Sequence, residues 1–92
     1  MQAFAALGDP TRQRIVEMLA ARELSSGEIA RRFDMTPPAV SQHLKLLREA
    51  GLVQVRRDAQ RRIYALDPTG LAELDAWLGR FRRHWTSQAN TG

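Results

Sequence analysis

The sequence has no cysteine, and that one absence removes disulfide cross-links, thiolate metal sites and thiol-based redox sensing together. No apolar run approaches the roughly 20 residues of a membrane span. Met1-Gln2-Ala3-Phe4 also lacks the charged region and following apolar stretch that open a secretory signal. No membrane partner is expected, and the cytoplasm is the expected compartment. Signatures of catalysis are missing as well: there is no G-x-S-x-G, no phosphate-cradling glycine loop, and His43 and His84 stand far apart in the chain. The sequence therefore points to no enzyme and to no cofactor. The 14 basic residues outnumber the 10 acidic ones, giving a formal charge of +4 and a pI near 11.0, which suits a polyanionic partner. With 92 residues the chain is expected to form a single domain, 1–92, whose core stays modest unless a second copy adds to it.

The informative stretch runs from Ser25 to Leu66. Ser25-Ser26-Gly27-Glu28 has the S-x-x-E spacing in which a Ser hydroxyl and a Glu carboxylate satisfy each other's free backbone N–H groups, so a helix should begin there. Ile29, Ala30 and Phe33 form its apolar stripe, Asp34 and Met35 interrupt it, and Thr36 offers a second N-cap. Pro37 and Pro38 suit the first turn of the next helix, where their missing N–H groups would have no partner anyway. At about 100° per residue, Val40, Leu44 and Leu47 share one side of that helix. Pro38, Ser41, Gln42, Lys45 and Arg48 share the other. A solvated face and a major-groove reading face look alike at this level. Gln pairs with adenine, Ser donates or accepts, and Lys meets phosphate or guanine. Gly51 sits where a left-handed C′ residue ends a helix.

Leu52-Val53-Gln54-Val55-Arg56-Arg57 and Arg61-Arg62-Ile63-Tyr64-Ala65-Leu66 read as the two strands of a hairpin around Asp58-Ala59-Gln60. The turn lacks Asn-Gly or Asp-Gly, leaving a two-residue and a three-residue loop equally open. Four arginines flank its tip. Charges of this kind protect an edge strand, and beside a helix-turn-helix they can also follow the phosphate backbone or enter a minor groove.

The ends of the chain look like a pairing device. Leu71, Leu74, Leu78, Phe81 and Trp85 follow a 3-4-3-4 spacing, an a/d seam of about two heptads, flanked by Trp77 and by Arg80, Arg82 and Arg83. A first short helix, Met1 to Leu7, adds Phe4 and Leu7. Asp9-Pro10 should cap and start a second helix burying Ile15, Val16 and Leu19. One small domain has too little interior for all these stripes, so a two-fold homodimer through the terminal helices is expected. The polar segment Ser87 to Gly92 is expected to be a disordered tail.

Taken together these motifs resemble the ArsR-type transcriptional regulators over nearly the whole chain. Phe4-Ala5-Ala6-Leu7-Gly8-Asp9-Pro10-Thr11-Arg12 is similar to the family's opening motif. Pro38-Ala39-Val40-Ser41-Gln42-His43-Leu44-Lys45-Leu46-Leu47-Arg48-Glu49-Ala50-Gly51-Leu52-Val53 is close to its recognition-helix motif, and Arg56-Arg57 with Tyr64 matches its wing. The resemblance implies a mostly α fold with a small β-hairpin wing: a winged helix-turn-helix of five helices and two strands, ordered α-α-α-α-β-β-α. The helix-turn-helix would span about 25–50, the wing about 52–66, and the dimerisation helices about 1–7 and 69–86. It implies a homodimeric repressor on an inverted-repeat operator of double-stranded DNA. The expected DNA-contacting set is Thr36, Pro38, Ser41, Gln42, His43, Lys45, Arg57 and Arg61, with Ser41 and Gln42 reading bases. The expected dimer set is Phe4, Leu7, Leu71, Leu74, Leu78, Phe81 and Trp85. Metal-sensing members carry a Cys-x-Cys pair where this chain has Ser25 and Gly27. The last helix offers only His84, with Glu73 and Asp75 at a spacing that does not share a helix face. No metal site is expected, and an unknown small-molecule or protein effector stays open.

Overall fold

The computed structural model describes residues 1–91, with side chains through Thr86. Among the described residues the chain forms α1 (Gln2–Ala6), α2 (Pro10–Ala21), β1 (Leu24–Ser25), α3 (Ser26–Phe33), α4 (Pro37–Glu49), β2 (Val53–Asp58), β3 (Arg61–Leu66), α5 (Pro68–Gly79) and α6 (Arg82–Thr91). The winged helix-turn-helix class is as expected, with six helices and three strands instead of five and two.

The added strand is only two residues long. Leu24 and Ser25 lie antiparallel to Tyr64 and Ile63, giving a sheet of order β1-β3-β2. A pair this short carries no periodicity that sequence could reveal. The added helix comes from a break in the terminal seam. Around Gly79 the backbone turns through i to i+3 bonds, from Arg80 N–H to the Trp77 carbonyl (3.1 Å) and from Phe81 N–H to the Leu78 carbonyl (3.0 Å). Glycine mid-helix costs about 1 kcal/mol relative to alanine, so the ladder yields there and the single helix expected over 69–86 is two. The tail expected to be disordered from Ser87 is helical backbone to Thr91. Gly92 lies outside the described residues.

The starts of α2 and α5 are written in their caps. Asp9 Oδ2 accepts the Arg12 N–H at 3.0 Å with Pro10 at N1, and Asp67 Oδ1 accepts the Thr69 N–H at 2.9 Å with Pro68 at N1. The core gathers Ile15 and Leu19 of α2, Leu24, Ile29 of α3, Val40, Leu44 and Leu47 of α4, Leu52 and Tyr64. Each such side chain contributes about 1.5–3 kcal/mol on burial. Val16, Ala30 and Phe33 reach it only in part.

The end of α4 locks to the start of α5. Gly51 adopts φ 71°, and Leu52 N–H donates to the Leu47 carbonyl at 2.9 Å, a left-handed helix end. Gly70 N–H then donates to the Gly51 carbonyl at 2.7 Å. A Cβ on Gly70 would stand 2.7 Å from that oxygen and 2.8 Å from the Ala50 carbonyl, so no larger residue fits the crossing.

Candidate nucleic-acid interface

The helix-turn-helix is built by two caps and one left-handed residue. Ser25 Oγ accepts the Glu28 N–H at 3.1 Å while Glu28 Oε1 accepts the Ser25 N–H at 2.8 Å, so the reciprocal box is complete. The backbone N–H of Ser25, then its hydroxyl, then the Arg22 guanidinium hold the Glu28 carboxyl below its ordinary pKa, with a further small contribution from Arg61. Asp34 ends α3 at φ 51°, a conformation that Asp tolerates better than most residues. The chain thus turns within Asp34 and Met35, and Thr36 Oγ1 caps α4 by accepting the Ala39 N–H at 3.3 Å.

α4 then separates its faces. Val40, Leu44 and Leu47 are 2%, 1% and 0% exposed, while Thr36, Pro38, Ser41, Gln42, Lys45 and Arg48 are all exposed. The side chains of Ser41, Gln42, Lys45 and Arg48 have no hydrogen bond or ion pair among the described residues, so their donors and acceptors are available. His43 does not join them. It is half-buried against α2, its Nδ1 3.3 Å from Arg12 Nη1 and 3.9 Å from Asp9 Oδ2. A place on the edge of the apolar stripe suits either a packed histidine or a phosphate contact. The packing of α2 on α4 turns it inward.

The wing resolves into two faces through its register. The loop has two residues, Ala59 and Gln60, because Asp58 pairs with Arg61. Ala59 carries φ 58°, the positive first position of a II′ turn. Pairing then runs Val53 with Leu66, Val55 with Tyr64 and Arg57 with Arg62, while Arg56 sits opposite Ile63. Side chains alternate along a strand, so Arg57 and Arg62 continue the face that carries Val53, Val55 and Tyr64 to the core. Arg56 and Arg61 fall on the outer face. The ion pairs follow the same division. Arg56 Nη2 lies 2.6 Å from Glu23 Oε1 and Arg61 Nη2 3.9 Å from Asp58 Oδ2. Among the described residues Arg57 and Arg62 have no acidic partner within 4 Å, and neither do Lys45 and Arg48. Arg48, Val55, Arg56, Arg57 and Arg62 line one cleft of about 250 Å³ between α4 and the wing, and of its four arginines only Arg56 has an acidic partner among the described residues. Arg61 of the expected set is thus ion-paired with Asp58, whereas Arg62, outside that set, has no acidic partner among the described residues. Two-residue periodicity would have found it once the loop length was known.

The expected dimer residues divide too. Phe4, Leu71, Leu78, Phe81 and Trp85 are exposed, Trp85 by 49% and Leu78 by 45%. Trp77 joins them, its ring 4.9 Å from Phe4 in an edge-on contact and 4.8 Å from Phe81. Leu74 is instead 9% exposed and belongs to the core of the chain, and Leu7 packs partly against that core. The seam's spacing could not tell a residue facing inward from one facing a second chain.

Comparison with known proteins agrees with this architecture. The model of the bacterial regulatory protein arsR family matches residues 9–55. The chain is 53% identical over 91 residues to the HTH-type transcriptional regulator Rv2034 of Mycobacterium tuberculosis, covering 99% of this chain and 81% of the relative. It is 33% identical over 78 residues to the transcriptional repressor SdpR of Bacillus subtilis, covering 85% and 87% of the two chains. A crystal structure of a possible transcriptional regulator for arsenical resistance matches with a TM-score of 0.80 at 40% identity, over 89% of this chain and 85% of that one. No helix among the described residues is long and apolar enough to cross a membrane. A capped helix-turn-helix, an unpaired cationic groove and these likenesses lead to one assignment: the chain belongs to the arsR family of bacterial regulatory proteins, and is a DNA-binding transcriptional regulator and not an enzyme.

Proposed function

We infer that the chain acts in the cytoplasm as a homodimeric repressor on an inverted-repeat operator. The observation that carries this reading is the continuity of unpaired cations, Lys45, Arg48, Arg57 and Arg62, beside the exposed Ser41 and Gln42 of α4. Arg57 and Arg62 stand directly opposite each other, and like charges so placed are destabilising in an isolated sheet. A row of phosphates removes that repulsion. Thr36, Pro38 and Ser41 lie at the N-terminal end of α4, the end that enters a major groove in helix-turn-helix proteins. Gln42 reads an adenine edge in this arrangement, and the basic residues set its register.

The dimer is supported by the shape of the protomer. Its radius of gyration is 15.4 Å, against about 12 Å for a compact chain of this length, and its extents are 52 × 23 × 22 Å. Phe4, Trp77, Leu78, Phe81 and Trp85 form an apolar face on this elongated body, which a two-fold partner covers with the same face.

Selection of bound duplexes from a random-sequence library, followed by titration of Gln42→Ala, tests the reading. The variant should lose about 1–3 kcal/mol on the selected site and little on scrambled DNA, because it removes a base contact and no charge. Equal loss on both would remove Gln42 from base reading. If no sequence is enriched, the operator reading fails.

A further inference from the structure

One guanidinium joins three elements beneath the reading face. Arg12, in the first turn of α2, donates from Nε to the Ala6 carbonyl at the end of α1 (2.6 Å), and its Nη1 lies 3.3 Å from His43 Nδ1 in the middle of α4. Its backbone N–H donates to Asp9 Oδ2, which is itself 3.9 Å from His43 Nδ1. Arginine has donors only. In this contact, therefore, the guanidinium donates and His43 Nδ1 accepts. Among the described residues this is the only side-chain hydrogen bond that reaches α4 from another element. The other end of the link matters equally, because α1 carries Phe4 onto Trp77, within the exposed apolar face.

We propose that Arg12 and His43 are positioning residues for operator recognition, fixing α4 at a set angle to the apolar two-fold face and thereby setting the half-site spacing that the dimer accepts. The proposal rests on the dimeric operator reading above. Its physical basis is leverage. A base pair adds about 3.4 Å along the axis and about a tenth of a turn, so a reading helix free to rock against the two-fold face tolerates a neighbouring spacing. Apolar contact is non-directional, and the backbone bond from Gly70 to Gly51 holds only the C-terminal end of α4, so the N-terminal, reading half depends on a directed contact of its own. A directed hydrogen bond from a guanidinium already held by the Ala6 carbonyl resists that motion.

The test uses duplexes carrying two copies of the half-site that the wild-type protein selects, with the centre-to-centre distance changed one base pair at a time. Wild type should lose affinity with each base pair from the optimum, because the added rotation and rise carry the second α4 off its groove. His43→Leu should flatten that profile with the thermal melt, the sedimentation behaviour and the salt slope unchanged, and Arg12→Ala, which also leaves the Ala6 carbonyl without its donor, should flatten it and lower the melt. His43→Asn, whose Oδ1 can take the place of Nδ1, should restore it. If Arg12→Ala does not fold, the two His43 variants decide. A wild-type profile in His43→Leu overturns the proposal, and so does an equal loss at every spacing, which would make His43 an ordinary contact. Indifference of the wild type itself to spacing, or a monomer on DNA, overturns the dimeric reading as well and is seen before any variant is made.

Discussion

The division of the wing into a paired and an unpaired face predicts which arginines neutralise phosphate. Affinity for duplex DNA falls with salt at a slope of about −0.9 per phosphate neutralised. Arg57→Ala in both protomers removes two contacts, so the slope should flatten by about 1.8, and Arg57→Ala combined with Arg62→Ala should flatten it by about 3.6. A fourfold rise, from 50 to 200 mM, is about 0.6 log unit, so the double variant should lose about 150-fold less affinity over that range than the wild type. The outer-face control is Arg56→Ala with Arg61→Ala. Glu23 and Asp58 already balance those charges at 2.6 and 3.9 Å, so the slope should stay near the wild-type value. Fluorescence anisotropy at five or more salt concentrations, on operator and on scrambled duplex, gives both slopes. Equal flattening by the two double variants would refute the assignment of faces from the hairpin register.

Three further outcomes follow from the packing. Leu78→Glu should leave a folded monomer, with melting changed by no more than about 0.5 kcal/mol, whereas Leu74→Glu buries an unpaired charge in the protomer's own core and should prevent folding. Sedimentation and circular dichroism separate the two, and a Leu78→Glu dimer would place the two-fold face elsewhere. Gly70→Ala drives a methyl group onto the Gly51 and Ala50 carbonyls and should cost about 1–3 kcal/mol by urea unfolding; an unchanged midpoint would mean that α5 can lift off the end of α4. The Glu28 carboxyl is held below its ordinary pKa by the Ser25 N–H and hydroxyl, and a lowered folded pKa gives stability that is present above the unfolded value and lost as pH falls through the folded one. Stability should therefore decline below about pH 4.5. Glu28→Gln, which keeps the capping acceptor but not the titration, should show a shallower acid limb in urea midpoints measured between pH 6 and 3.

Much of the helix-turn-helix could be read from residues alone because its signals are local. A cap needs only a hydroxyl and a carboxylate three residues apart, as at Ser25 and Glu28, or a Thr before two prolines, as at Thr36. The face of α4 follows from 3.6-residue periodicity without knowledge of any neighbour, and Gly51 marks a helix end through its own backbone. What depended on a second element was decided only by the tertiary structure. The wing's loop length sets which arginines share a face, and Asp58-Ala59-Gln60 carries no turn signature strong enough to choose, so the sequence points to Arg61 without showing that Arg62 is the one that shares a face with Arg57. His43 sits at the edge of a stripe, and its direction was set by Arg12, 31 positions away. The same holds for Leu74 and Leu78, which follow the same seam. Leu74 meets its own core and Leu78 meets solvent, because the angle at which α5 crosses the end of α4 is fixed by the contact of Gly70 with Gly51, a non-local event that no heptad pattern records.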